Sequence, residues 1–177
     1  VTGMCGAVNP GTVVECATMN GVDESSKEKY MNECGKDLVG HGTYCASLAG
    51  GKNYGVAKKA TIHNVKTLQD CGCSGMSLIP VAIDYALTKA VANHQRAVIS
   101  LSLGGAGRHP AIDKVTAIAV ERGVVVVAAA GNNGKEGVWG NACDLSPANC
   151  PAAITVGATA WKTETQIDEL SDFSNIG

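Results

Sequence analysis

Aromatic residues are scarce in this 177-residue chain: one Phe, two Trp and four Tyr make up 4% of it. Its core cannot rest on stacked rings and must be filled by Val, Ile, Leu and Ala. Positive charge is not in excess either. Fourteen Lys and Arg stand against 16 Asp and Glu for a net of −2, which argues against a phosphate-binding surface and hence against a nucleic-acid partner. Long apolar runs are missing, the longest being the segment Gly123–Gly131, far short of the roughly 20 residues that cross a bilayer as a helix. No membrane partner is expected. Charged residues are few, at 17%, but the apolar set reaches 45%, which excludes a disordered chain and suits a packed core. The length suits one ordinary domain.

Phosphate-cradling motifs are also lacking. Gly105-Ala106-Gly107 does not run into a helix as a dinucleotide fingerprint must, since Pro110 follows closely, and no GxxxxGK[ST] occurs. Zinc-knuckle spacing is absent, because Cys71-Gly72-Cys73 is one residue too tight for CxxC. What the chain does have is eight cysteines and 22 glycines. So many cysteines favour disulfides over zinc and an oxidising compartment, which makes the protein extracellular. Val1 opens the chain without a basic patch and apolar stretch, so it reads as a processed or trimmed product.

Residues 1–40 show little periodicity and hold Cys5, Cys16 and Cys34 among Gly, Asn and Ser; they read as a disulfide-pinned, irregular front. Beyond it the pattern alternates. Thr61–Thr67 is expected as a strand. Ser77–Asn93 is expected as a helix with Ile79, Ile83, Ala86, Leu87 and Ala90 inward. Ala97–Leu103 follows as a strand with Val98, Ile99 and Leu101 buried, then Ala111–Arg122 as a helix with Val115, Ile118 and Ala119 inward and Gly123 as its stop. Val124–Ala129 and Ile154–Ala160 complete the strands. Continuous apolar strands separated by helices predict an α/β fold: a doubly wound, mostly parallel sheet with helices on both faces. Ligands of such sheets sit beyond the carboxyl ends of the strands, where Leu103-Gly104-Gly105-Ala106-Gly107 and Gly131-Asn132-Asn133-Gly134 fall.

Several short segments carry a more specific message. Gly40-His41-Gly42-Thr43 resembles the catalytic-histidine motif of the subtilisin-like serine proteases. Cys45-Ala46, Tyr54–Lys59 and Leu101-Ser102-Leu103-Gly104-Gly105 resemble the proteinase K-like branch of that family. Ala129-Ala130-Gly131-Asn132-Asn133 is similar to the oxyanion-asparagine motif, and Ser146-Pro147-Ala148, Thr155-Val156-Gly157-Ala158 and Phe173–Gly177 follow in family order. Taken alone, His41 would read as a structural histidine and Asn132 as a turn former; the ordered set changes that balance.

The resemblance implies roles. His41 would be the general base. Asn132 would donate its side-chain amide to the oxyanion of the tetrahedral intermediate, the family being the source of the usual estimate that this donor is worth about 10²–10³ in rate. Ser102, Leu103 and Gly104 would line the primary pocket and pair with the substrate backbone, while Ser74, Gly75 and Met76 would supply the opposite edge, so that a peptide or protein substrate binds as an added strand. All of these are expected to converge on one cleft. Cys45 would be a free, largely buried thiol near His41. Cys143 would bridge to a cysteine outside this chain, or locally to Cys150. No cofactor is required; the resemblance implies calcium only as a structural ion, through a carbonyl near Pro151 and Ala153 and an Asp further along, beyond Gly177, so that these residues hold half of that site.

The departures are equally specific. No Gly-Thr-Ser segment carries a nucleophile, and Val1-Thr2-Gly3-Met4 stands where family members have Asp-Thr-Gly or Asp-Ser-Gly. Asp37 precedes His41 by four residues but reads as a surface loop residue. Residues 1–177 are therefore expected to form a single, partial catalytic domain, with an irregular front over 1–40 and an α/β core over 41–177. The expected function is a serine endopeptidase present as a fragment, its missing part supplied by a second chain or by the rest of a longer one. The alternative is a catalytically dead homologue that binds peptides or proteins.

Overall fold

Runs of Val, Ile and Ala, whose branched or small side chains suit a pleated and covered surface, form the central strands. In the computed structural model, residues 37–68, 74–93, 96–134 and 140–177 are described. The chain divides into two compact units, residues 1–82 and 83–177. In the first, helix α1 (His41–Gly50) is the main described element. Helix α2 (Leu78–Ala92) follows, burying Ile79, Ile83, Leu87 and Ala90 on the predicted face together with Leu78 and Ala82.

The second unit is built on β1 (Val98–Leu101), β3 (Val125–Ala129) and β5 (Ile154–Val156). They form a parallel sheet in the order β1-β3-β5, with Leu101 opposite Ala128 and Ala129 opposite Val156. Helix α3 (Pro110–Glu121) connects β1 to β3 and packs on β3. Pro110 suits its first turn, where no N–H partner is needed, and Arg108 holds Asp113 there through a 2.7 Å Nε–Oδ2 ion pair. Two antiparallel pairs complete the unit: β2 (Gly105–Ala106) with β4 (Leu145–Ser146), and β6 (Thr159–Lys162) with β7 (Ile167–Leu170). The Ser146–Pro147 peptide bond is cis.

The α/β class and the parallel strands agree with the sequence reading; five details do not. Thr61–Thr67 forms no strand, because no neighbouring backbone among the described residues pairs with it. Burial along β3 alternates, with Val126 and Ala128 buried but Val125 and Ala129 exposed, and β5 is exposed throughout. In β1, Val98 is exposed and only Leu101 is buried. In α3 the inward residues are Ile112, Thr116 and Ala119, while Val115 is half-buried and Ile118 exposed. An apolar count favours Ile118, but the stripe that faces β3 runs through a threonine. Finally, Ile154–Ala160 is not one strand: the chain turns at Gly157-Ala158 and β6 leaves for a different sheet.

Candidate functional site

His41 is the first residue of α1 and is exposed. The residue before it, Gly40, occupies the helix-capping position with φ +85°, a left-handed conformation open to glycine and unable to offer a capping side chain. Asp37 supplies the missing cap from three residues further back. Its Oδ1 accepts from the backbone N–H of Gly40 at 2.8 Å and of Val39 at 3.1 Å. Its Oδ2 accepts from the Thr43 hydroxyl at 2.7 Å and the Thr43 N–H at 2.9 Å. The Thr43 hydroxyl, then the Gly40 and Thr43 amides, hold this carboxyl far below the usual carboxylate range. A fixed negative charge at a helix N-terminus also opposes the positive end of the helix dipole. The backbone on both sides of His41 is thus tied to one side chain.

One turn along α1, Cys45 Sγ lies 3.9 Å from His41 Nε2, and Cys45 is a free thiol. This agrees with the expectation except in burial, since Cys45 is half-buried and α1 has no fully buried residue. Ser74, Gly75 and Met76 lie in the turn that starts α2, where the carbonyls of Gly75 and Met76 accept from Leu78 and Ile79 at 3.1 and 3.3 Å.

The second unit brings its own predicted residues together. Because β1 and β3 are parallel neighbours with Leu101 opposite Ala128, Ser102-Leu103-Gly104 and Asn132 emerge from the same end of the sheet, the carboxyl end. Gly104 passes so close to Ser146 that an added Cβ would sit 3.1 Å from the Ser146 carbonyl oxygen. Asn132 is exposed at a bend just after Gly131, whose φ is +107°. Asn175 pins that bend: its Oδ1 accepts from the Asn133 N–H at 2.8 Å and its N–H donates to the Gly131 carbonyl at 3.1 Å. The Gly134 N–H donates to the Phe173 carbonyl at 3.0 Å. His41 and residues 74–76 belong to the first unit, and Asn132 and residues 102–104 to the second.

Two shallow concavities of about 550 and 450 Å³ lie elsewhere in the second unit. One is lined by Arg108, Asp113, Lys114 and Cys150, the other by Gly107, Cys143, Asp144 and Asn149. Neither includes Ser102, Leu103, Gly104 or Asn132, and a peptide that pairs with a strand edge needs no deep cavity. Cys143 and Cys150 are both free, so the local bridge between them is not formed. Cys5, Cys16, Cys34, Cys71 and Cys73 lie outside the described residues, as does Val1. Among the described residues no three His, Cys, Asp or Glu side chains gather into a metal-binding group.

Asp37 and Asn175 are the residues that sequence reasoning passed over. A glycine at a helix start with Asp three residues before and Thr three after was the available signal for Asp37. For Asn175 the signal was only its place in the Phe173–Gly177 segment, which does not reveal a partner 42 residues away.

Comparisons with known proteins bear on the family and the fold. The profile of the subtilase family matches residues 11–177. An extracellular serine proteinase of a Thermus species is 44% identical over 143 residues, covering 80% of this chain and 31% of the relative. The cuticle-degrading protease of Metarhizium anisopliae is 40% identical over 152 residues, covering 85% and 36%. The crystal structure of a cold adapted subtilisin-like serine proteinase superposes with a TM-score of 0.63 at 35% identity, over 73% of this chain and 42% of that one. The chain spans about a third of the length of the curated relatives it matches.

Proposed function

The chain belongs to the subtilase family, and on that premise we propose that it is part of an extracellular serine endopeptidase that hydrolyses peptide bonds through an acyl-enzyme. The observation that carries the reading is the emergence of Asn132 and Ser102–Gly104 from the carboxyl ends of adjacent parallel strands. A substrate strand lying along residues 102–104 would present its scissile carbonyl to the Asn132 amide. His41 Nε2 would take the proton of the attacking hydroxyl and return it to the leaving amine. The hydroxyl itself belongs to a segment outside these 177 residues, since no Gly-Thr-Ser is present. Secretion is supported by the cysteine content and by the name of the Thermus relative, an extracellular proteinase.

The test is labelling with a fluorophosphonate, which reacts with activated serines. The polypeptide that contains this chain together with the rest of the domain should hydrolyse a peptide and take one label at a serine beyond Gly177. The 177-residue chain alone should take none. A complete polypeptide that binds peptides but neither cleaves them nor takes label would establish the dead binding module instead. Label on Ser47, Ser100 or Ser146 would overturn the assignment of the nucleophile.

A further inference from the structure

Asn175 is only 2% exposed, and its side chain is used asymmetrically. Its Oδ1 holds the Asn133 N–H at 2.8 Å across 42 residues of sequence, while its buried Nδ2 has no hydrogen-bond partner. Stability alone does not explain that arrangement, because a buried amide with half its capacity unmet is a poorer core residue than an apolar one of its size. Its placement does. The backbone N–H of Asn175 binds the Gly131 carbonyl, and its Oδ1 binds the Asn133 N–H, so the two bonds flank Asn132 on either side. Nδ2 lies where a Cβ on Gly131 would come within 2.5 Å of it, so the side chain is seated directly against the bend. Gly134 is tied to the carbonyl of Phe173 in the same segment. Ser174 anchors that segment in turn, its Oγ accepting from the Ala158 N–H at 2.9 Å and donating to the Asn175 carbonyl at 3.0 Å.

We propose that Asn175 is a positioning residue: it fixes the Gly131–Asn133 bend and thereby aims the Asn132 amide at the oxyanion. The inference rests on the proposed hydrolytic function and deepens it. An oxyanion donor acts only if it is already in place when charge develops, and Asn132 sits on an exposed bend with no buried side chain of its own to hold it.

A double-mutant cycle in the complete, hydrolytically active polypeptide tests this. Asn132→Ala should lower kcat about 10²–10³-fold. Asn175→Ala should lower kcat about tenfold with KM little changed, since the substrate strand pairs elsewhere. In the Asn132→Ala background, Asn175→Ala should change kcat less than about twofold, because the donor it aims is gone. Equal losses in both backgrounds would make Asn175 a general structural residue and overturn the proposal. If Asn132→Ala itself leaves kcat unchanged, the oxyanion reading fails and the positioning role falls with it. Hydrogen exchange on the unmutated complete polypeptide needs neither folding of a variant nor activity. The Asn133 amide should exchange slowly, and exchange at the rate of an open loop would overturn the hold.

Discussion

Asp37 shows how one exposed carboxylate can organise a site. Its carboxyl is held below the ordinary value of 3.8 by the Thr43 hydroxyl and the amides of Gly40, Thr43 and Val39. A depressed folded-state value means that its contribution is complete above about pH 4 and is lost as pH falls toward the folded value. Protection of the Gly40 and Thr43 amides, taken relative to an open chain at the same pH, should therefore fall as acid is added, and Asp37→Ala should lack that protection at every pH. Asp37→Asn keeps one acceptor oxygen and should fall between the two. Gly131 is a second sensitive residue. Its φ of +107° and the nearness of Leu145 and Asn175 leave no room for a methyl group, so Gly131→Ala should destabilise the second unit by at least about 1–3 kcal/mol from backbone strain, read from a urea midpoint. At this scale His41 and Asn132 could be nominated from sequence because they stand in short motifs. Asp37 was not, because an aspartate among polar neighbours reads as solvated, and Asn175 was not, because its partner is 42 residues away.

Helix α3 is the clearest case in which element and sequence disagree. Its buried stripe is Ile112, Thr116 and Ala119, and the Thr116 hydroxyl is buried with no hydrogen-bond partner. Ile112→Ala should cost about 2–5 kcal/mol, whereas Ile118→Ala, on the open side, should cost less than about 1 kcal/mol. Thr116→Val, which removes an unmet hydroxyl at nearly constant volume, should raise stability by about 1 kcal/mol. Denaturant titration of the three variants settles the orientation. Sequence pattern served α2 well because its apolar face is nearly unbroken from Leu78 to Ala90. It misjudged Thr61–Thr67 because a strand exists only through its pairing, which composition does not reveal. It also missed the β2-β4 pair, whose members are two residues long and 39 positions apart at Ala106 and Leu145.

At the scale of the whole molecule, the free thiols among the described residues sort by exposure. Without reductant, Cys143 should react first with a thiol reagent, Cys45 more slowly, and the buried Cys150 only after unfolding. A total below three on the unfolded chain would contradict the structure. The parallel sheet also has two outer strands, and Val98 and Ile154 on them are 66% and 56% exposed. Open apolar strands invite pairing with other chains. The isolated 177-residue chain should therefore self-associate in sedimentation experiments, and Val98→Lys with Ile154→Lys should suppress this without loss of folded signal. The clasp between Phe173–Asn175 and the Gly131–Gly134 bend has a consequence for synthesis. A ribosome delivers the bend more than 40 residues before its clasp, so the nascent chain carries Asn132 on an unfastened loop while the rest of the parallel sheet is already available to fold. Nascent chains halted before Ser174 should be cut readily by an added protease near Asn132, and those that have fully exposed Asn175 should resist. Fastening of the Asn132 bend is in this way timed by the order in which the message is read.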